Sequence, residues 1–205
     1  AYEMCGRDWS SDVCSSDLDE SRVGVIVTSG DPRSNNSNTL AGFDFNYLNS
    51  RIGNGRVLEG DIWYQSSSRD GYDNDQSAYG LDIAMPNNTG WRGDFTIKNI
   101  EANFYPALGY VNRRDIRDTT AGIGYTHYFD DFYFNRVYSG LDVYNVESLA
   151  TGKLETRVEL LRLAEFETST RDQLRFRIRR TTEVLDEPFE IYEDQSRQVV
   201  IPVGE

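Results

Sequence analysis

From residue 22 onward, apolar and polar side chains alternate with a period of two, in segments of about ten residues. Ala41, Phe43, Phe45 and Tyr47 fall on one parity, with Gly42, Asp44 and Asn46 on the other. Tyr79, Leu81, Ile83 and Met85 repeat the split, as do Trp91, Phe95 and Ile97, and later Leu174, Phe176 and Ile178 against Arg175, Arg177 and Arg179. A period of two places successive side chains on opposite faces of a strand, and no stretch keeps a 3.6-residue apolar stripe. The spacing predicts strands over 22–29, 40–49, 57–66, 77–86, 91–103, 117–129, 135–147, 153–168 and 172–184, with a tenth beginning near Gln198.

The connections sort by length. Those at 30–39, 67–76, 104–115 and 186–197 are long, and those at 50–56, 87–90, 130–134 and 168–171 are short. In an up-and-down order every long link falls at one end of the sheet, and the short link at 148–152 is the exception. Long loops at one end and tight turns at the other is the layout of an outer-membrane barrel. The strand lengths suit a tilted bilayer crossing of about 9–11 residues better than a globular mode of about 5–6. Tyr47, Tyr64, Trp91, Tyr110, Phe129 and Tyr144 stand near strand ends, where ring side chains form interface girdles in such barrels.

Composition narrows the function classes. The 205 residues hold Lys+Arg 21 against Asp+Glu 34, a net charge of -13, which opposes a role in gripping nucleic-acid phosphates. A mean hydropathy of -0.61, with no apolar run near the roughly 18–20 residues of a spanning helix, excludes a helical membrane protein. Aromatic residues at 13% exclude a core-less disordered chain.

Residues 1–18 stand apart. Asp8 to Leu18 read DWSSDVCSSDL, which resembles the translation of a common sequencing-library adapter. The segment has neither the basic nor the apolar region of a secretory leader, and is expected to be an unstructured artefact with no place in the fold. Cys5 and Cys14 fall inside or beside it, so neither a disulfide nor a metal role is read from them.

Candidate chemistry is sparse. His127, the single histidine, shares the parity of Ile123, Tyr125 and Phe129, so it faces away from any nucleophile a triad would need. A histidine metal cluster is excluded by the count. The run Asp70-Gly71-Tyr72-Asp73-Asn74-Asp75 lacks the spacing and distal Glu of an EF-hand, and reads as a solvated loop tip. Gly53-Asn54-Gly55 reads as a turn. Glu155, Arg157 and Glu159 are expected on the polar face, opposite Arg175, Arg177 and Arg179 of the next strand.

The stretch from Asn103 to Arg117, NFYPALGYVNRRDIR, resembles the FNPALGFV-x-R-x-D signature of the C-terminal domain of bacterial domain-of-unknown-function family 5916, with Tyr105 where that pattern has Asn. The strand 22–29 (VGVIVT), the strand 42–47 (G-x-D-F-x-Y) and the strand 199–204 (V-x-IP-x-G) are similar to the same family, so the resemblance spans 22–204. It implies an outer-membrane β-barrel domain that usually follows a family 9-like carbohydrate-binding module, and hence glycan handling at the cell surface. No catalytic residue is carried over.

The expected fold is therefore all-β, an antiparallel up-and-down meander forming an incomplete outer-membrane-type β-barrel of about nine to ten strands over residues 19–205. The expected function is surface binding or transport linked to carbohydrate in the bacterial outer membrane, with the lipid bilayer and a poly- or oligosaccharide as partners, no nucleic acid and no cofactor. The alternatives are a soluble β-sandwich carbohydrate-binding module and a glycan hydrolase using loop carboxylates. Arg113, Arg114, Asp115 and Arg117 are the candidate ligand-binding residues; no catalytic or metal-ligating residue is assigned. The loop 104–117 is expected to fold back on the sheet, with Arg113, Arg114 and Arg117 near Asp94 or Asp118.

Overall fold

The structure is a computed structural model and describes residues 11–18, 20–34, 37–53, 55–130, 133–185, 189–194, 197–201 and 203–204. Ten strands form one sheet in sequence order: β1 (Ser11–Leu18), β2 (Ser21–Ser29), β3 (Asn38–Ile52), β4 (Arg56–Arg69), β5 (Ser77–Met85), β6 (Gly90–Ile100), β7 (Ile116–Tyr128), β8 (Phe134–Ser148), β9 (Leu154–Thr168) and β10 (Gln173–Glu183). Each pairs antiparallel with its chain neighbours. The fold is all-β and a meander, as the alternation requires. The sheet stays open, with β1 and β10 as its edges among the described residues. Residues near Gln198 do not add to it: β11 (Phe189–Asp194) and β12 (Arg197–Ile201) pair only with each other.

One expectation is corrected at the first strand. Residues 11–18 are paired with β2 from Ser11↔Thr28 to Leu18↔Ser21, not unstructured; residues 1–10 lie outside the described residues. The physical reason is the edge itself. A strand with a free row of N–H and C=O groups templates whatever extended chain adjoins it, largely regardless of side chains. At the turn end of this hairpin the Glu20 carboxylate accepts the Ser50 N–H (2.9 Å) and hydroxyl (2.8 Å) and meets Arg51 at 3.1 Å. The Ser50 N–H first, then its hydroxyl, hold Glu20 below its ordinary range, so this tie is present above that range and is lost as pH falls.

The two faces are inverted relative to a water-soluble sheet. The apolar parity is the uncovered one: Phe43, Ile62, Ile83, Phe95, Ile123, Leu174, Phe176 and Ile178 are all exposed, from 41% at Phe95 to 58% at Ile178. Phe45, Leu81 and Ile97 share that face and are half-buried by their neighbours. Rings mark its level: Phe43 stacks on Tyr64 and Tyr64 on Tyr79, at 6.1 and 6.4 Å between centroids. Toward the short turns Trp91 meets Tyr125 edge-on at 5.2 Å. The opposite face carries Asp44, Asp61, Asp82, Asp94, Arg162 and Arg177, crowded enough that these side chains bond one another: Asn46 to Asp61, Thr96 to Asp82, Arg177 to Glu165.

The buried apolar residues are few, and they gather at the long-loop end on the polar face. Leu40, Ala78 and Phe104 form a cluster with Trp63, Ile100 and Val111 packed against it. Here residues 101–115 fold back over the sheet, as expected. The Tyr105 N–H donates to the Ser67 hydroxyl (3.0 Å), Asn38 donates to the Tyr105 carbonyl (3.1 Å), and Arg69 lies over the rings of Tyr72 and Tyr105. The acidic run 70–75 serves the same end: the Asp75 and Asn74 carbonyls accept the Asn103 backbone and side-chain N–H groups at 2.8 and 2.9 Å.

Candidate functional site

Of the cavities that open on the polar face, two gather charged side chains and rings from several strands. The first, 410 Å³, opens at the long-loop end beneath residues 110–113, between Lys98, Asp118, Tyr144 and Arg113, with Tyr110 and Asn112 at its lip. The strands place these groups by parity: Lys98 and Asp118 are ladder partners and form an ion pair at 3.1 Å. Tyr144 comes from β8 on the same face, and Tyr110 stands 83% exposed. An exposed ring beside donors and acceptors on rigid strands suits a ligand with one apolar face and many hydroxyls.

The four sequence candidates are not brought together. Arg113 enters this cavity but pairs with Glu155 of β9 rather than with Asp94 or Asp118. Arg114 is exposed on the loop. Asp115 adopts a left-handed backbone at φ 59, tolerable for Asp. Its carboxylate accepts the Ser148 hydroxyl (3.1 Å) and the Ala150 N–H (3.0 Å), and its carbonyl accepts the Leu149 N–H, so it clamps the loop exit to the 149–153 turn. Arg117 lies on the opposite, apolar parity with Thr119, Ala121 and Ile123, and donates its Nε–H to Asn99 at 2.9 Å. Counting parity backward from Ile123 gives that side directly, whereas Lys98 and Tyr144 were missed because they sit on strands that read only as lining.

The second cavity, 330 Å³, lies nearer the short turns between Arg92, Asp94, Tyr138, Asp142, Arg162 and Arg177. Arg162 pairs with Asp142 and reaches Glu165 at 3.5 Å, Arg177 holds Glu165 at 2.5 Å, and Arg136 holds Glu167 at 2.8 Å. The Tyr138 ring lies flat on this face between the Arg92 and Arg162 guanidiniums, at 5.9 and 5.8 Å. It can do so because Gly124 and Gly140 lie beneath it; a Cβ at either overlaps the Tyr138 hydroxyl. Gly124→Ala is expected to cost about 1–3 kcal/mol by overpacking. In a Tyr138→Ala background that cost should vanish, and urea unfolding of the four-member cycle measures the coupling.

The expected pairing of Glu155, Arg157 and Glu159 across from Arg175, Arg177 and Arg179 is overturned. Arg157 and Glu159 share the parity of Leu161 on the apolar side, and the polar side of β9 carries Thr156, Val158, Leu160 and Arg162 instead. Register shifts at Tyr138/Gly140 and Phe176/Arg177 then reset which residues of β9 and β10 face each other, so that Arg175 and Arg177 meet Glu165 and Arg162. His127 keeps its expected parity, exposed and edge-on to Phe129 at 4.6 Å. Among the described residues no cluster of His, Cys, Asp and Glu is arranged to hold a metal ion.

No family model, no curated protein and no solved structure matches this chain.

Proposed function

We propose that this chain is a wall of an outer-membrane-type β-barrel domain, seated in the bacterial outer membrane with its apolar face against lipid and its long-loop mouth contacting carbohydrate. The observation that carries the reading is the inverted polarity of the sheet. The apolar side chains of β2–β10 form the exposed face, while the charged and amide side chains bond one another on the other. A contiguous apolar surface of this extent is costly in water and stabilising in hydrocarbon, about 25 cal/mol per Å². Aromatic rows near both strand ends and loops sorted by length agree with a bilayer band between two interfaces. The resemblance of 22–204 to family 5916, and the cavity under Tyr110, support the saccharide contact. A soluble sandwich would need a second layer on the apolar face, and among the described residues that face is uncovered.

Vesicle flotation tests the reading. The chain refolded with phospholipid vesicles is expected to float with them after an alkaline wash and to keep a β circular-dichroism spectrum. A monodisperse, detergent-independent chain that stays in the aqueous fraction overturns it. Oligosaccharide binding by the floated protein, weakened in Tyr110→Ala without loss of flotation, separately tests the mouth.

A further inference from the structure

On β7–β10 the apolar face ends abruptly toward the long loops, and what replaces it there carries charge. Arg117 of β7, Arg157 of β9 and Arg180 of β10 all lie on the apolar parity, one step beyond Thr119, Glu159 and Ile178 respectively. All three are exposed. Adjacent strands stand about 4.8 Å apart; Arg157 and Arg180 lie on neighbouring strands and Arg117 two strands further on, across β8, so the three form a slanting row across four strands. Two of them are fixed in the same way: Arg117 donates its Nε–H to Asn99 on the neighbouring strand at 2.9 Å, and Arg157 donates its Nε–H to Asn145 at 3.0 Å. That bond orients the guanidinium and leaves its two terminal nitrogens without a protein acceptor among the described residues. Arg180 has neither a hydrogen bond nor an ion pair among them. Glu147 and Glu159 share the belt. Glu147 accepts the Asn145 amide at 2.8 Å, and neither carboxylate forms an ion pair with the three arginines. In a chain of net charge -13 this belt is net positive, and it is so where the apolar face stops.

Resting on the lipid-facing reading above, we propose that Arg117, Arg157 and Arg180 form a docking belt for the phosphates of anionic lipid headgroups, at the membrane interface on the long-loop side. Arginine forks match phosphate oxygens in pairs, and a guanidinium already held by its Nε loses less freedom on binding. A lipid phosphate bound there sits level with the end of the apolar face, so its acyl chains continue along Ile123, Leu161 and Ile178. A free anion gains the first contact but not the second.

The test uses the protein reconstituted in phosphatidylcholine vesicles with trace spin-labelled lipid, phosphatidylglycerol or phosphatidylcholine. Wild type is expected to immobilise phosphatidylglycerol about fivefold more strongly, with the preference falling to parity in R117Q/R157Q/R180Q and under high salt. Arg180→Gln alone, which breaks no bond in the fold, should lower the preference part of the way, and guards against a triple variant that fails to fold. Equal immobilisation of both lipids by wild type overturns the belt while leaving the lipid-facing reading intact. An undiminished preference in the triple variant overturns the assignment to these arginines. Inorganic phosphate that raises the melting temperature of the detergent-solubilised wild type but not the triple variant makes this a free-anion site, against the lipid. Failure of wild type to enter vesicles overturns the lipid-facing reading itself.

Discussion

Ile123→Arg is expected to lower the unfolding free energy of the vesicle-embedded chain by about 2–4 kcal/mol, the cost of arginine near a bilayer midplane on the lipid face of a barrel. Ile123 stands midway along the apolar parity of β7, between Thr119 and His127, and is 55% exposed. Its neighbours across the ladder are Gly93 and Leu141, so no carboxylate is at hand to compensate the charge. A chain standing in water would respond in the opposite sense. A half-exposed isoleucine replaced by arginine there changes stability within about 0.5 kcal/mol and improves solubility. Thr119→Arg is the internal control: it lies on the same strand and face, one step from the natural Arg117. Its expected cost is about 0–1 kcal/mol, because the penalty falls toward the interface. Urea unfolding of the three proteins in the same vesicles reads the gradient, and equal costs at 119 and 123 would remove the bilayer from the argument.

The second large effect is at Phe104. Its ring is 3% exposed, packed against Leu40 and Ala78 and bordered by Trp63, Ile100 and Val111. Truncation to alanine removes the largest apolar contact of residues 101–115, a loss of about 3–5 kcal/mol for a buried phenylalanine. The ladder of β3–β10 does not depend on that ring, so the effect is expected in the loop rather than in the sheet. The loop's opening equilibrium should rise by about two to four powers of ten, read as faster hydrogen exchange at the Tyr105 amide, which now donates to Ser67. Asn38, 2% exposed, loses its acceptor when the loop lifts. Asn38→Ala should therefore open the same loop more mildly, by about 1–3 kcal/mol. Unchanged exchange at Tyr105 in Phe104→Ala would show that the loop is held by something other than this cluster.

The strands were legible because a pleated strand between unlike environments writes its period into the sequence. From Ala41 to Tyr47 and from Tyr79 to Met85 each residue declares its face, and the observed β3 and β5 follow. Pro106 and the apolar Phe104, Tyr105 and Leu108 likewise announced a loop that folds inward. What could not be read depends on geometry that leaves no period. Arg113 chose Glu155, 42 positions away, because long side chains take the partner that tertiary packing brings nearest. Arg157 and Glu159 were misplaced because beyond the apolar band neither face has to be apolar, so polarity stops reporting side while parity still does. The pairing of residues 11–18 comes from backbone groups, to which side-chain pattern is blind. Tyr138 lying over Gly124 and Gly140 joins two strands, and neither strand alone hints at it.

The order β1 to β10 also decides how the chain can reach this state. Every ladder joins segments that follow one another in sequence, through links as short as 19–20 or 53–55. Closing such a link carries little chain entropy, and a doubling of loop length adds only about 0.6 kcal/mol. The barrier to assembly is then set locally, as in folds of low contact order, and each new strand needs only the edge left by the one before it. A zipper of hairpins of this kind can grow from any starting turn, and a growing sheet always offers the next segment its template.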